Sequence, residues 1–256
     1  SPLLYHCSDY IKEKYLLPTV RGEKTDALGM SEPNAGSDLA GMQMQFERRG
    51  NEYVINGTKI WTSQAPMCSY ILLLARAKGS ERHEGLTWFI VDKGTPGWEI
   101  TRIIHNMGDH CSSENQFTDC VIPIENRLTL EGQAWTGAQQ ELTSNRLSNS
   151  AECLGMAIRS QGLAIEYSKQ RITFGEPLAN RQAVQFMLAD SEIDMHATLW
   201  MLYQAAWKAD QGEDIRHEAS MIKVFATEMA SRVIDRALQI RGATGYSKDL
   251  PIERFY

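Results

Sequence analysis

An α+β fold is predicted for this chain of 256 residues by two features of its hydrophobic pattern. Residues 27–131 contain short runs of alternating apolar and polar side chains, interrupted by Gly, Asn and Pro, which are typical of antiparallel strands. From about Gln133 the apolar residues recur every three or four positions, which is typical of long amphipathic helices. We therefore expect the end of an N-terminal helical domain at 1–26, a central antiparallel β-domain at 27–131, and an incomplete long-helix bundle at 132–256.

A short helix is predicted at Ser8–Leu16, ahead of the strands. Ser8 can cap its N-terminus because a serine hydroxyl accepts a hydrogen bond from a backbone N–H of the first turn. Pro18 is expected to lie just beyond the helix, since proline disrupts a helix interior. The chain begins in this charged pattern without a methionine, and Arg254–Tyr256 contain no capping signal. We therefore expect the sequence to be a piece of a longer protein.

The central region is predicted to be a small antiparallel barrel or sandwich. Gly50 and Asn51 separate two alternating runs, Met42–Arg49 and Tyr53–Ile60, which indicates a hairpin. A shorter strand precedes them at Ala27–Met30. Further strands, separated by turn residues at spacings that suit such a sheet, are expected at Tyr70–Arg76, Leu86–Val91, Trp98–Ile103 and Gln116–Ile122.

Three long helices are predicted to follow the strands. Apolar residues mark the first between Trp135 and Ile165, the second covers Leu178–Ala209, and the third runs over Ile215–Ile240. Glycine at position 242 is expected to end the third helix. Three helices of this length would leave wide apolar faces, so we expect a further helix, another subunit or both to complete the bundle.

Composition excludes several functional classes. A net charge of -6 gives no electrostatic case for nucleic-acid binding, and the longest apolar run is far too short to span a bilayer. The five cysteines include no Cys-x-x-Cys pair, which argues against a zinc site or a disulfide framework and favours a reducing compartment. No metal ligands are predicted, because the histidines show no paired spacing.

Two groups of residues have the types that a flavin site needs. A flavin requires an apolar wall against its ring system and short hydrogen-bond donors along its polar edge, while its pyrophosphate requires cationic donors. The first need is met by Leu28, Met30, Ser31, Trp61 and Ser63, and the second by Arg171. An ordinary strand-to-loop turn is the alternative for residues 30–38. Glu32, within that turn, is expected to be a hydrogen-bonding residue and not an acid catalyst.

Five segments of the chain have the character of sequence signatures. In chain order they are Met30–Asp38, Tyr53–Ser63, Asn106–Gly108 with Ser112 and Ser113, Arg171–Gly175 with Gln182, and Gln239–Tyr246. Together they resemble the signatures of the acyl-CoA dehydrogenase family, and the resemblance runs from about Tyr10 to Tyr256. The family usually has Gly where this chain has Ala243, and His is common at the position of Arg181.

The resemblance implies that FAD is the cofactor and that two sets of residues contact it. In the first set, Ser31 lies near the polar edge of the isoalloxazine, Trp61 walls one face and Ser63 offers its hydroxyl at N5. The full first set is Leu28, Met30, Ser31, Ser37, Trp61, Thr62 and Ser63. The second set would reach a FAD held mainly by another subunit: Arg171, Thr173, Phe174, Gln182, Gln239, Gly242 and Ala243.

For the substrate, the resemblance implies an acyl-CoA thioester. Ser37 would lie where the adenine-nucleotide end or the pantetheine of coenzyme A passes, and Thr143 and Arg146 would face the substrate from the long helix. A plain salt bridge is the alternative role for Arg146. The family's catalytic carboxylate usually lies after the Arg-Phe-Tyr region, and in some relatives it stands where this chain has Asn145. No catalytic residue is therefore assigned here, and we expect the base C-terminal to Tyr256.

The implied reaction is FAD-dependent α,β-dehydrogenation of the acyl-CoA. The resemblance also implies a homodimer or homotetramer, an electron-transfer flavoprotein as electron acceptor, and a location in the bacterial cytoplasm or the mitochondrial matrix. Two alternatives stay open. One is an acyl-CoA oxidase-like flavoenzyme, and the other is a non-catalytic flavin-binding or assembly subunit of the same fold.

Overall fold

The computed structural model describes residues 7–106 and 111–256. The chain divides into two compact units, Ser1–Glu141 and Leu142–Tyr256, and the boundary between them lies inside a long helix. The first unit is dominated by strands and the second by long helices, which confirms the predicted α+β class and its order. The predicted domain boundaries, after residues 26 and 131, stay predictions.

The first unit begins with a helical segment in three parts: α1 (Asp9–Ile11), a π-helical turn (Lys12–Leu16) and α2 (Leu17–Val20). Ser8 is the predicted cap, and its Oγ accepts a hydrogen bond from the N–H of Ile11 at 3.4 Å. The prediction that Pro18 lies beyond the helix is wrong, because α2 includes it in its first turn. Proline offers no N–H to the carbonyl of Lys14, and the Nζ of Lys24 donates to that oxygen at 2.9 Å.

One curled, seven-stranded sheet makes up most of the first unit. Its order is β1-β4-β2-β3-β7-β6, with β5 paired to β4. The predicted hairpin is confirmed, because β2 and β3 pair antiparallel around Gly50, whose φ is 63°. The sheet is not wholly antiparallel, since β4 runs parallel to both β1 and β2. The strands are β1 (Asp26–Gly29), β2 (Gln45–Arg49), β3 (Glu52–Ser63), β4 (Tyr70–Ala77), β5 (Leu86–Asp92), β6 (Trp98–His105) and β7 (Cys111–Pro123).

Strands β4 and β5 are buried on both faces, which explains their continuous apolar sequence. Alternate side chains of a strand point to opposite faces, so each strand contributes to two cores. Tyr70, Leu72 and Leu74 pack in one core with Trp88. The side chains between them, Ile71, Leu73 and Ala75, pack in the other core with Phe46, Tyr53 and Phe89.

The three predicted long helices are confirmed as α3 (Ala134–Gln170), α4 (Gln182–Asp210) and α5 (Arg216–Arg241). A two-stranded hairpin, β8 (Ile172–Thr173) and β9 (Glu176–Pro177), connects α3 to α4, and two short helices follow α5: α6 (Ala243–Tyr246) and α7 (Ile252–Phe255). Gly242 ends α5 with a φ of 60°, as predicted. None of the helices in the described ranges has the length and apolar character needed to cross a membrane.

Helix α4 exposes a row of large apolar side chains. Phe186, Ile193, Trp200 and Trp207 are each at least 59% exposed, and they recur at every seventh position. This spacing places them on one side of the helix. The expectation that a further helix or another subunit completes the bundle stays a prediction.

Candidate functional site

Two hydrogen bonds hold the segment after β1 against β3. The N–H of Ile60 donates to the carbonyl of Ser31 at 2.9 Å, and the Nζ of Lys59 donates to the carbonyl of Met30 at 3.0 Å. The segment containing Leu28, Met30 and Ser31 therefore lies beside the segment that leads into Trp61. The sequence analysis expected both segments to contact one flavin ring, and the structure brings the two segments together.

Lys59 also forms a buried ion pair with Glu32. Its Nζ lies 2.8 Å from Oε1 of Glu32, and both side chains are at least 95% buried. The carboxylate accepts two further hydrogen bonds, from the backbone N–H of Gln43 at 2.5 Å and of Met44 at 3.0 Å. Glu32 is therefore a hydrogen-bonding residue, as predicted.

Burial determines the ionisation of this lysine. Loss of water around Lys59 lowers its pKa to about 8, while the charge of Glu32 and its hydrogen bond oppose that change. The group therefore remains an ammonium at neutral pH. A charged donor is what keeps the carboxylate and the Met30 carbonyl close together.

Sequence reasoning missed Lys59, although its position contained a signal. Along β3 the residues Tyr53 and Ile55 are fully buried, and Lys59 occupies a further fully buried position of the same strand. A charged residue at an inward-facing position needs a buried partner. The strand pattern could therefore have indicated a lysine with an internal acidic partner.

Trp61 is held in an unusual backbone conformation. Its φ is 60°, and the pairing of β3 with β7 shifts register between Lys59 and Thr62. Such a conformation costs a residue with a bulky side chain about 1–3 kcal/mol. The bulge leaves the indole ring 58% exposed. This geometry is typical of a side chain directed away from the core towards a ligand.

The two residues after Trp61 differ in burial. Thr62 is buried, its carbonyl accepts a hydrogen bond from the Oγ of Ser113 at 2.9 Å, and its own Oγ1 has no hydrogen-bond partner among the described residues. Ser63 is exposed and lies opposite Ser112 in the strand register. Met107 and Gly108, from the loop matched in sequence, lie outside the described residues.

In the second unit, one open cleft of about 300 Å³ brings together Arg171, Thr173, Gln239 and Gly242. These residues come from the end of α3, from β8 and from the end of α5. A second arginine, Arg241, lines the same cleft, and none of its lining residues is acidic. The cleft is therefore positively charged and suits an anionic ligand.

The hairpin next to this cleft presents an aromatic ring to solvent. Phe174 is 96% exposed and has a φ of 52°. Arg181 fixes the turn, since its Nη2 donates to the carbonyl of Thr173 at 2.6 Å and its Cζ lies 5.6 Å from the Phe174 ring centre. Gln182 and Ala243 are also exposed, but neither lines the cleft.

The predicted substrate residues lie in different units. Ser37 is exposed in the first unit, next to Asp38, which pairs with Arg82 at 3.0 Å. Thr143 is buried and Arg146 half-buried in the second unit, on α3. Each unit taken by itself therefore supplies part of the predicted substrate set.

Family models match most of the chain. One described as "Acyl-CoA dehydrogenase, middle domain" matches residues 27–120, and one described as "Acyl-CoA dehydrogenase, C-terminal domain" matches residues 132–256. A short-chain specific acyl-CoA dehydrogenase from Megasphaera elsdenii is 35% identical over 99% of this chain and 67% of the relative. The chain thus spans about two thirds of that relative's length.

Solved structures agree in fold. A chain from a structure described as the electron transferring flavoprotein of Acidaminococcus fermentans superposes with a TM-score of 0.94 at 33% identity, over 99% of this chain and 68% of that one. A structure described as PigA with FAD and proline gives a TM-score of 0.94 at 29% identity, over 99% of this chain and 67% of that one.

Proposed function

Because this chain belongs to the acyl-CoA dehydrogenase family, we propose that the full-length protein is a FAD-dependent acyl-CoA dehydrogenase. It would remove hydrogen from the α and β carbons of an acyl thioester. The observation that carries the proposal is the contact between the Ser31 and Trp61 segments, which places an apolar wall beside polar side chains. When bound, FAD supplies the acceptor for the hydride that leaves the β-carbon.

The residues of the first unit fit a flavin ring. Leu28 and Met30 are partly buried apolar side chains, and the exposed indole of Trp61 offers a flat surface. The exposed hydroxyl of Ser63 is a donor that a polar ring edge would satisfy, while the hydroxyl of Thr62, also proposed to contact the cofactor, is buried in this structure. Ser31 supplies a third hydroxyl from the end of β1. Relatives support this role, since the PigA structure is described as containing FAD.

The cleft of the second unit fits the diphosphate of the cofactor. Arg171 supplies a cation, and Thr173 and Gln239 supply neutral polar groups in the same cleft. Gly242, whose φ is 60°, gives a backbone without a side chain at the cleft wall. We propose that this cleft, with Phe174, Gln182 and Ala243 at the surface beside it, contacts a FAD held mainly by another subunit of a homodimer or homotetramer.

The substrate residues are proposed to act by binding and orientation. Ser37 would contact coenzyme A, while Thr143 and Arg146 would contact the thioester side of the substrate from α3. Removal of the α-proton requires a carboxylate in a site that excludes water. Asn145 cannot serve, because its amide does not accept a proton at neutral pH. We propose that the base lies outside residues 1–256.

Electrons from the reduced cofactor are proposed to pass to an electron-transfer flavoprotein. The support is a relative from Acetobacterium woodii, 34% identical over 100% of this chain, that is described as a subunit of a caffeyl-CoA reductase-Etf complex. Oxidation by O2, as in an acyl-CoA oxidase, is the competing proposal. Anaerobic reduction by acyl-CoA followed by exposure to air separates the two, because rapid reoxidation without a protein acceptor indicates an oxidase.

Arg171→Ala tests the cofactor site in the full-length protein. We expect it to weaken FAD binding about tenfold or more, because a charged hydrogen bond contributes about 1.5–3 kcal/mol. The measurement is flavin absorbance retained after gel filtration. Arg159→Ala is the matched control, since Arg159 is an exposed arginine of α3, the helix that ends just before Arg171. Unchanged retention in Arg171→Ala would reject the role of Arg171.

A substrate panel tests the reaction itself. Full-length protein should reduce a dye with saturated acyl-CoA, whereas residues 1–256 alone should not, since they contain no assigned base. Wild-type protein that retains no flavin and reduces no dye would reject the proposed function. Turnover by residues 1–256 alone would reject the proposed position of the base.

A further inference from the structure

The ion pair between Lys59 and Glu32 connects three segments that are separate in sequence. The carboxylate of Glu32 receives hydrogen bonds from the backbone of Gln43 and Met44, just before β2. The ammonium of Lys59, on β3, donates to that carboxylate and to the carbonyl of Met30, just after β1. A single pair of charges therefore positions the ends of β1 and β2 against the middle of β3.

Net stability alone does not explain a pair in this place. Two charges lose their water on burial, and apolar residues of similar volume in their place are often neutral or stabilising by about 1–4 kcal/mol. The surroundings here are apolar enough to receive them, since Met44 is fully buried and Met42 is 3% exposed. What apolar side chains could not supply is the set of directed hydrogen bonds to Met30, Gln43 and Met44.

Those hydrogen bonds hold the backbone next to Ser31 and Trp61, two residues of the proposed flavin site. The residue after Met30 is Ser31, whose carbonyl accepts from Ile60, and the residue after Ile60 is Trp61. Gly57 lets β3 approach closely, because an added Cβ at that position would lie 2.7 Å from the Cα of Met44. The backbone of Ser31 and the strained backbone of Trp61 are thus both held within two residues of Lys59 or Glu32.

We propose that the Lys59–Glu32 pair is a positioning element that sets the relative placement of Ser31 and Trp61 for the flavin. Neither charge touches the cofactor in this proposal. The proposal rests on the proposed function, because it needs a flavin at this wall. It predicts that removing both charges together changes how the cofactor is bound more than how firmly the chain is folded.

The test is a double substitution, Lys59→Met with Glu32→Gln, in the full-length protein. Methionine keeps the length of the lysine side chain, and glutamine keeps an acceptor oxygen for one of the two backbone N–H groups, whereas its NH2 group cannot accept from the other. We expect a melting temperature without FAD modestly below that of the wild type, a Kd for FAD raised at least about tenfold, and a changed shape of the visible flavin band. A merely structural role would lower the melting temperature in the same way but leave the Kd and the band shape unaltered.

The matched control removes an exposed pair of the same charge types, Lys78→Met with Glu47→Gln, where the two groups lie 3.8 Å apart. Wild-type Kd and band shape in the buried double variant would overturn the proposal. If that variant fails to fold, Glu32→Gln alone is measured by the same criteria, and failure of both to fold also overturns it. Wild-type protein that binds no FAD would instead reject the proposed function.

Discussion

The two proposed cofactor-contacting regions hold their side chains in opposite ways. At the wall of the first unit, the backbone around Ser31 and Trp61 is held in place by the buried Lys59–Glu32 ion pair and by backbone hydrogen bonds. In the cleft of the second unit, Arg171 is exposed and shares the cleft with a second arginine, Arg241. The wall therefore depends on burial, whereas the cleft depends on accumulated charge. Removal of one charge from the buried pair should therefore affect folding, whereas changes at the cleft should affect binding alone.

The largest effect is expected from Lys59→Met alone. It leaves the Glu32 carboxylate buried without its cation, and breaking a buried pair in this way costs about 3–5 kcal/mol. Urea denaturation of the apoprotein measures it. Lys78→Met is the control, because Lys78 is exposed and solvent screens its pair with Glu47. Equal losses in the two variants would contradict the contrast between buried and exposed regions.

A second prediction concerns the pH dependence of this pair. The pKa of Lys59 is about 8 in the folded chain and about 10.5 when unfolded, so the unfolded state binds more protons between those values. The folded chain holds this proton less tightly than the unfolded chain, so the free energy of unfolding is lowest below pH 8 and rises as pH increases towards 10.5. The free energy of unfolding of the wild type relative to Lys59→Met should therefore increase across this window. Urea denaturation at a series of pH values measures this difference in free energy, and a difference that stays constant or falls between pH 8 and 10.5 would refute the prediction.

Trp61→Gly separates strain from binding at the wall. Glycine adopts a φ of 60° without strain, so the apoprotein should gain up to about 1 kcal/mol after the entropy cost of glycine is subtracted. FAD retention should fall, because the indole surface is lost. Gln64→Gly is the matched control, since Gln64 has a φ of 62° and is exposed. It should leave FAD retention unchanged, and equal losses of flavin in the two variants would remove Trp61 from the wall.

The smallest effect is expected from Arg82→Gln. Its guanidinium makes two hydrogen bonds to Asp38, at 3.0 and 3.1 Å, but both side chains are about 60% exposed. Exposed pairs contribute about 0–1 kcal/mol, and salt screens them. Thermal denaturation at low and high salt should show a small loss that disappears at high salt. A loss as large as that of Lys59→Met would show that burial does not govern these pairs.

The sequence by itself determined the order of strands and long helices. Alternation around Gly50 predicts the β2–β3 hairpin, and spacings of three and four residues predict α5 up to Gly242, because these patterns depend on near neighbours along the chain. It did not predict that α2 would include Pro18, which lies in the first turn of that helix, where proline is tolerated. The parallel pairing of β4 depends on strands distant in sequence.

For the candidate site, the sequence determined which residue types are present, through motifs such as the one ending in Trp61. Only the tertiary structure decided that Lys59 meets Glu32 in the core, that Trp61 has a positive φ, and that Arg171 and Gln239 share a cleft. The physical reason is that burial and charge pairing arise between segments distant along the chain. Hydrophobic periodicity indicates which face of a helix or strand is buried, but it does not indicate which residues from distant parts of the chain contact that face.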